Sequence, residues 1–156
     1  GHGRNGTPKN DTISNYRGKA QQALRGALLV EKSYLTGRTD PGRNFSNIVW
    51  LVSTDSPHIK GWIVRSYGDK DANADVPREK RKYASSVVRR RVITTGSKGR
   101  HTKTKDDPST EVFAEAFIDW FLLGETDLVL KHEYSFADTA ALRTARPLYK
   151  RDRFFP

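Results

Sequence analysis

The chain has no cysteine. Disulfides, thiolate metal sites and cysteine nucleophiles are excluded, though the compartment is not settled by that absence. It also lacks any apolar run of the length needed for a transmembrane helix, about eighteen residues or more. The opening residues are polar and glycine-rich, which is not the pattern of a secretory signal peptide. The four histidines are scattered, and no H-E-x-x-H or comparable metal-ligand spacing occurs. Aromatic residues are scarce where positive charge is densest: within 78–105 only Tyr83 sits among the charges. That argues against a single-strand nucleic-acid platform, which stacks bases on aromatic rings, and no DNA or RNA recognition motif is present.

What is present suits one domain, or one half of a two-domain protein, of 156 residues. Lys and Arg number 28 against 18 Asp and Glu, a net charge of +10. The excess is local. Residues 78–105 hold eleven Lys or Arg and one acid, and setting these aside leaves 17 of each sign elsewhere. The block has three readings: a solvated surface excursion, attraction of an anionic acceptor or membrane, or binding of nucleic acid or another polyanion. Sequons at Asn5, Asn10 and Asn44 are either chance matches or the mark of a lumenal or secreted setting, the ER or Golgi lumen for a full-length eukaryotic protein.

Residues 1–15 read as a polar leader loop and 16–150 as a single domain, with 151–156 a tail. The spacing of Ala20, Leu24, Ala27, Leu28 and Tyr34 predicts a helix over 16–36, with Gly37 and Pro41 at its exit. "NIVWLVS", 47–53, is a continuous apolar run of strand length, as expected for a strand buried on both faces. Ser56 is placed to cap a helix over 57–67, with Pro57 in its first turn. The basic block contains one candidate strand, 87–95, interrupted by three arginines. A helix over 109–123 follows, with Phe113, Ala116, Phe117, Trp120 and Phe121 at helical spacing. "TDLVL", 126–130, is the next strand, and 135–144 the last helix. The tail "RPLYKRDRFFP" has no clear pattern. This alternation predicts an α/β fold: a Rossmann-like, three-layer half domain with a small parallel sheet of three to four strands and helices on both faces.

In such sheets ligands sit outside the carboxyl ends of the strands. That selects residues 53–57 and 131–136. At the second tip Ser135 and Asp138 form an S-x-x-D capping box opening a helix. Its N-terminal dipole end suits a phosphate; capping boxes are common, so on pattern alone an ordinary capped turn with nothing bound is the favoured alternative. Asp119 borders the apolar stripe of Val112, Ala116 and Leu123. An acid there either reaches a partner at the sheet edge or lies at the waterline. "GHGRNG" at the start matches G-x-G-x-x-G, but no strand precedes it and no helix opens at its last glycine, so it is not a dinucleotide fingerprint.

"IVWLVSTDSP", "VITTG" and "DWFLLGETDLVLKHEYSFADTAALR" together resemble the carboxyl-terminal half of GT-B fucosyltransferases, the α1,6- and protein O-fucosyltransferase group. The resemblance covers roughly residues 45–145. It implies inverting transfer of fucose from GDP-fucose to a glycan or protein hydroxyl, through an oxocarbenium-like transition state and without a metal or other cofactor. It implies donor-binding roles for Thr54 and Asp55, for Asp119 at the nucleotide end, and for Tyr134, Ser135 and Phe136 at the diphosphate. The family has two adjacent small hydroxyl residues before the aromatic; here Tyr134 precedes Ser135. The family's His-x-Arg motif is matched in spacing by His2 and Arg4, without the strand that precedes it in the family, and makes Arg4 a further donor-binding candidate. No residue stands out as the general base. The resemblance also implies that an amino-terminal GT-B half is missing from this chain. The alternative is a non-catalytic basic α/β module that binds nucleic acid or another polyanion through residues 78–105.

Overall fold

The computed structural model describes residues 10–43, 45–82, 87–96, 110–131 and 135–150. Arg4 and Tyr134 lie outside them, as do residues 83–86 and 97–109, in and just beyond the basic block. The described chain is mixed α/β. Helix α1 spans Asn10–Leu35, α2 Pro57–Tyr67, α3 Thr110–Gly124 and α4 Ser135–Arg143. Strands are β1 Asn47–Val52, β2 Lys70–Asp71, β3 Arg89–Thr94, β4 Val129–Lys131 and β5 Leu148–Lys150. The helix expected from residue 16 begins six residues earlier, at Asn10. Asn, Asp, Thr and Ser are poor helix formers in mid-helix but are favoured at helix starts, so they extend this one rather than forming a loop. Gly37 lies just past its end in the left-handed region, at φ 70°, where a side chain is disfavoured.

The strands form two ladders, not one. The first has the order β1-β3-β2, with β1 parallel to β3 and β2 antiparallel to it. The second is a parallel pair, β4 with β5. The candidate strand in the basic block therefore joins the sheet, as its central member. The expectation of a purely parallel sheet needs correcting, because the two-residue β2 turns back along β3. The strands at 47–53 and 126–130, read as neighbours of one sheet, lie in separate ladders. β4 takes as its partner β5, in the tail that had shown no pattern.

Both α1 and α2 pack on one face of the first sheet. Leu24, Ile59 and Ile63 form a core with Trp50, Val52, Trp62 and Val92 around it. A second core joins Leu35, Ala72, Val76 and Val88 with Ile48. The strand positions alternate accordingly: Ile48, Trp50, Arg90 and Val92 point inward, while Asn47, Val49, Arg89, Arg91 and Ile93 stand on the other face. Val49 is 55% exposed and Ile93 45% exposed, so β1 is not buried on both faces. A continuous apolar run does not distinguish a doubly buried strand from one whose outer face is merely apolar.

Helix α3 turns a different face inward from the one its phenylalanines suggest. Asp119 is buried and Ala116, Trp120 and Leu123 are half-buried, whereas Phe113, Phe117 and Phe121 are exposed. The helix is apolar nearly all round, so periodicity alone cannot select its packed face. It is fastened to α4 by Trp120 Nε1 donating to Thr139 Oγ1 at 3.0 Å and by Arg143 Nη2 donating to the Phe121 carbonyl at 2.8 Å.

Candidate functional site

The carboxyl end of β1 turns directly into α2 through Ser53, Thr54, Asp55 and Ser56. Ser56 caps the helix, its Oγ accepting from Ile59 N–H at 3.4 Å, and Pro57 fills the first helical position, where no N–H is needed. Thr54 Oγ1 accepts from Ser56 N–H at 3.3 Å, which closes the turn. Thr54 is half-buried and Asp55 is exposed at the tip.

Asp119 reaches this tip from α3. Its residue is 7% exposed, and Ser53 Oγ donates to Asp119 Oδ2 at 3.2 Å. The acid on the apolar stripe is thus a buried group held at the sheet edge rather than a waterline residue. Burial of a carboxylate requires hydrogen bonding, and Ser53 supplies part of it. Thr54, Asp55 and Asp119, assigned to donor binding on separate stretches of sequence, therefore converge at one strand end.

A residue that sequence reading missed lies beside them. Lys60, on the first turns of α2, is 7% exposed, and its Nζ donates to the Thr95 carbonyl at 3.4 Å. Thr95 follows the last residue of β3. Val52 pairs in register with Thr94, so Ser53 and Thr95 are the next residues off the same edge of two neighbouring strands. The sequence signal was the position of a lysine near the start of a helix that follows a strand tip. Lysine is rarely buried, and a cation near a helix N-terminus opposes the dipole.

The second tip is arranged differently. α4 begins at Ser135, which is exposed, and Phe136 is 39% exposed. The carboxylate of Asp138 does not serve a capping box; it is ion-paired with Lys131 at the end of β4. The lysine side chain is 11% exposed and Asp138 27% exposed, so the pair is largely withdrawn from water. The segments leading into the two ladders meet where Arg43, before β1, is 3.4 Å from Asp127, before β4.

Among the described residues no three His, Asp or Glu side chains gather in a metal-ligand cluster. None of the described helices is long and apolar enough to cross a membrane. A shallow cleft of about 380 Å³ lies at the opposite end of the first sheet, lined by Leu28, Tyr67, Lys70, Asp71, Asp75 and Arg90. Its Arg90 and Lys70 pair near the start of β3, whereas the strand tip lies past Thr94. Comparison with known proteins gave no matching family model, no matching curated protein and no matching solved structure.

Proposed function

We propose that the chain is the donor-binding part of a glycosyltransferase of the fucosyltransferase-like GT-B kind, transferring fucose from GDP-fucose to a glycan or protein hydroxyl with inversion. The observation that carries this reading is the Ser53–Asp119 contact, which brings the acid of α3 to the tip that contains Thr54 and Asp55. The finer fold reading, a Rossmann-like half domain, belongs to the same proposal. In it the two ladders are parts of one nucleotide-binding layer, and the Arg43–Asp127 tie brings the segments leading into β1 and β4 together.

In this reading the strand tips hold the nucleotide diphosphate as it leaves the sugar. The C–O bond to the donor phosphate breaks, and negative charge grows on the diphosphate. Fixed donors and cations around it lower the barrier electrostatically. Deprotonation of the acceptor hydroxyl needs a general base, which the reading assigns to an amino-terminal half of the enzyme or to the acceptor itself.

The test is binding of GDP against ADP by calorimetry. GDP should bind at least about tenfold more tightly than ADP, a difference of about 1.4 kcal/mol. Asp119→Asn, which keeps size and a hydrogen bond to Ser53, should weaken GDP binding while shifting the melting temperature little. Equal affinity of the wild-type chain for GDP and ADP overturns the reading. The polyanion reading has its own support in Arg89 and Arg91, both exposed on the outer face of β3. It predicts heparin retention that falls steeply with salt and is indifferent to Asp119→Asn.

A further inference from the structure

We propose that the cleft at the start of β3 is a binding site for a neutral polyhydroxyl ligand, a hexose or deoxyhexose. The inference goes beyond the donor-site reading and stands without it. The cleft lies away from the strand tips, among α1, the end of α2, β2 and Arg90 of β3.

The cleft is built around a buried cation. Arg90 is 2% exposed and lines it. Its Nε and Nη2 donate to Glu31, and the guanidinium lies over Trp50. Nη1 has no hydrogen-bond partner among the described residues, and it is not sealed from solvent. Buried polar side chains are hydrogen-bonded as a rule, so an acceptor for Nη1 has to come from the cleft.

Other polar groups stand around the same space with bonding capacity left. Burial lowers the Arg90 pKa, and the hydrogen bond and charge of Glu31 raise it by more. Asp75 and Tyr67 add to the rise, so both stand close to the guanidinium. Yet the Asp75 carboxylate makes no hydrogen bond or ion pair among the described residues, and the hydroxyls of Ser66 and Tyr67 make no hydrogen bond among them. The walls are nevertheless fixed. Asp71 Oδ1 accepts from Asn73 N–H at 3.0 Å, which shapes the turn leading to Asp75. The Tyr67 ring is held 5.7 Å from Trp50 and 6.2 Å from Trp62. Leu28 supplies an apolar wall.

Charge decides the ligand class. Lys70 and Arg90 are cations, while Asp71, Asp75 and Glu31 are acids. A phosphate or a free carboxylate would approach a guanidinium already matched by Glu31, with two further carboxylates near it, and would be repelled. A cation would meet Lys70 and Arg90. A neutral polyol meets neither obstacle. Its hydroxyls can accept from Arg90 Nη1 and donate to Asp75, and its C–H groups can cover Leu28 and the Tyr67 ring. The cleft of about 380 Å³ is at the small end of ligand pockets, which span about 300–1,000 Å³, and this suits a single sugar ring.

The experiment titrates the wild-type chain with D-glucose, D-galactose, L-fucose and maltotriose, following the backbone amides of residues 66–75 by NMR. The expected result is saturable shifts at those amides with at least one free sugar, at a Kd of about 1 mM or below, and no change with salt because the ligand is uncharged. Asp75→Ala should weaken that binding about tenfold, and Asp75→Asn, which keeps an acceptor, by much less. Asp119→Asn should leave it unchanged. A thermal melt checks that each variant is folded, and Tyr67→Phe replaces any that is not. Maltotriose binding more tightly than glucose assigns the site to a glycan end, and equal binding assigns it to a free sugar; both support the proposal. No saturable shift at about ten times that concentration overturns it, and so does sugar binding that is indifferent to Asp75→Ala. Phosphate or glycine binding there more tightly than every sugar overturns the neutral ligand class. GDP affinity, read on the same samples, tests the donor-site reading separately.

Discussion

Glu31 on α1 and Arg90 on the central strand β3 form a buried ion pair, with side chains 3% and 2% exposed. Arg90 Nε donates to Glu31 Oε2 at 2.8 Å, and Nη2 donates to Oε1. The guanidinium also lies over the ring of Trp50, 4.8 Å from its centroid. The pair thus joins the long helix, the central strand and the edge strand β1. Its geometry is the bidentate one that suits arginine and a carboxylate.

Breaking this pair from one side should cost far more than removing it. Arg90→Met leaves Glu31 buried without its cation, at an expected cost of about 3–5 kcal/mol. Glu31→Leu with Arg90→Met replaces the pair by apolar groups and should regain most of that loss. A double-mutant cycle in urea reads the coupling directly. If the double variant is as unstable as the sum of the single ones, the two side chains do not act as a unit.

The same pair predicts a pH dependence. Burial raises the Glu31 pKa above its ordinary 4.5, and the hydrogen bonds and charge of Arg90 only partly offset this. Its folded-state pKa therefore exceeds its unfolded value. Between pH 4.5 and the raised folded value, the folded chain holds a proton that the unfolded chain has lost. Stability from this group is present below 4.5 and falls as pH rises through the folded pKa. Urea midpoints measured across that interval should decline in wild type, and the slope should flatten in Glu31→Gln. An unchanged slope in Glu31→Gln would assign the dependence elsewhere.

Much of this organisation was legible in the chain, and its gaps have physical causes. The helix at 57–67 announced itself through Ser56 and Pro57, because cap chemistry is local. The strand expected at 87–95 is present at 89–94 despite its three arginines, and in the structure Arg89 and Arg91 stand outward and Arg90 inward. What could not be read was that Arg90 would be buried. That depends on Glu31, 59 residues away. Asp119 was visible as an acid on an apolar stripe, but its partner Ser53 was not, because a serine at a strand end has no distinguishing pattern. Lys60 was hidden for the same reason: its significance lies in burial, which a polar residue in an amphipathic helix does not advertise. β5 escaped because three residues carry too little periodicity.

Two glycines should respond oppositely to alanine. At Gly124, the last residue of α3, an added Cβ would lie 2.6 Å from Arg143 Nη2 and 2.8 Å from the Ala140 carbonyl oxygen. The arginine tip could swing away, but the α4 backbone cannot, so Gly124→Ala should cost about 1–3 kcal/mol through overpacking. At Gly18, within α1, nothing lies within 4 Å of the new atom. Gly18→Ala should therefore stabilise by about 0.5–1 kcal/mol, the difference in helix propensity. Thermal melts of the two single variants test both signs. A neutral Gly124→Ala would mean that α3 and α4 can separate at that end without penalty.

The tip at Ser135 decides how far the diphosphate extends towards α4. Ser135→Ala is a weak test, because loss of a hydroxyl at a helix start can cost about 1 kcal/mol and weaken binding through the fold. Ser135→Asp separates the roles. A carboxylate at the start of α4 is favoured by the helix dipole, and Lys131 lies at the adjoining strand end, already paired with Asp138. Stability should hold or rise slightly. A phosphate at the same place would be repelled, and GDP affinity should fall by about tenfold or more, equivalent to about 1.4 kcal/mol. Guanosine, with no phosphate, should bind unchanged. If folded Ser135→Asp binds GDP as tightly as wild type, the start of α4 does not seat the diphosphate and is an ordinary turn.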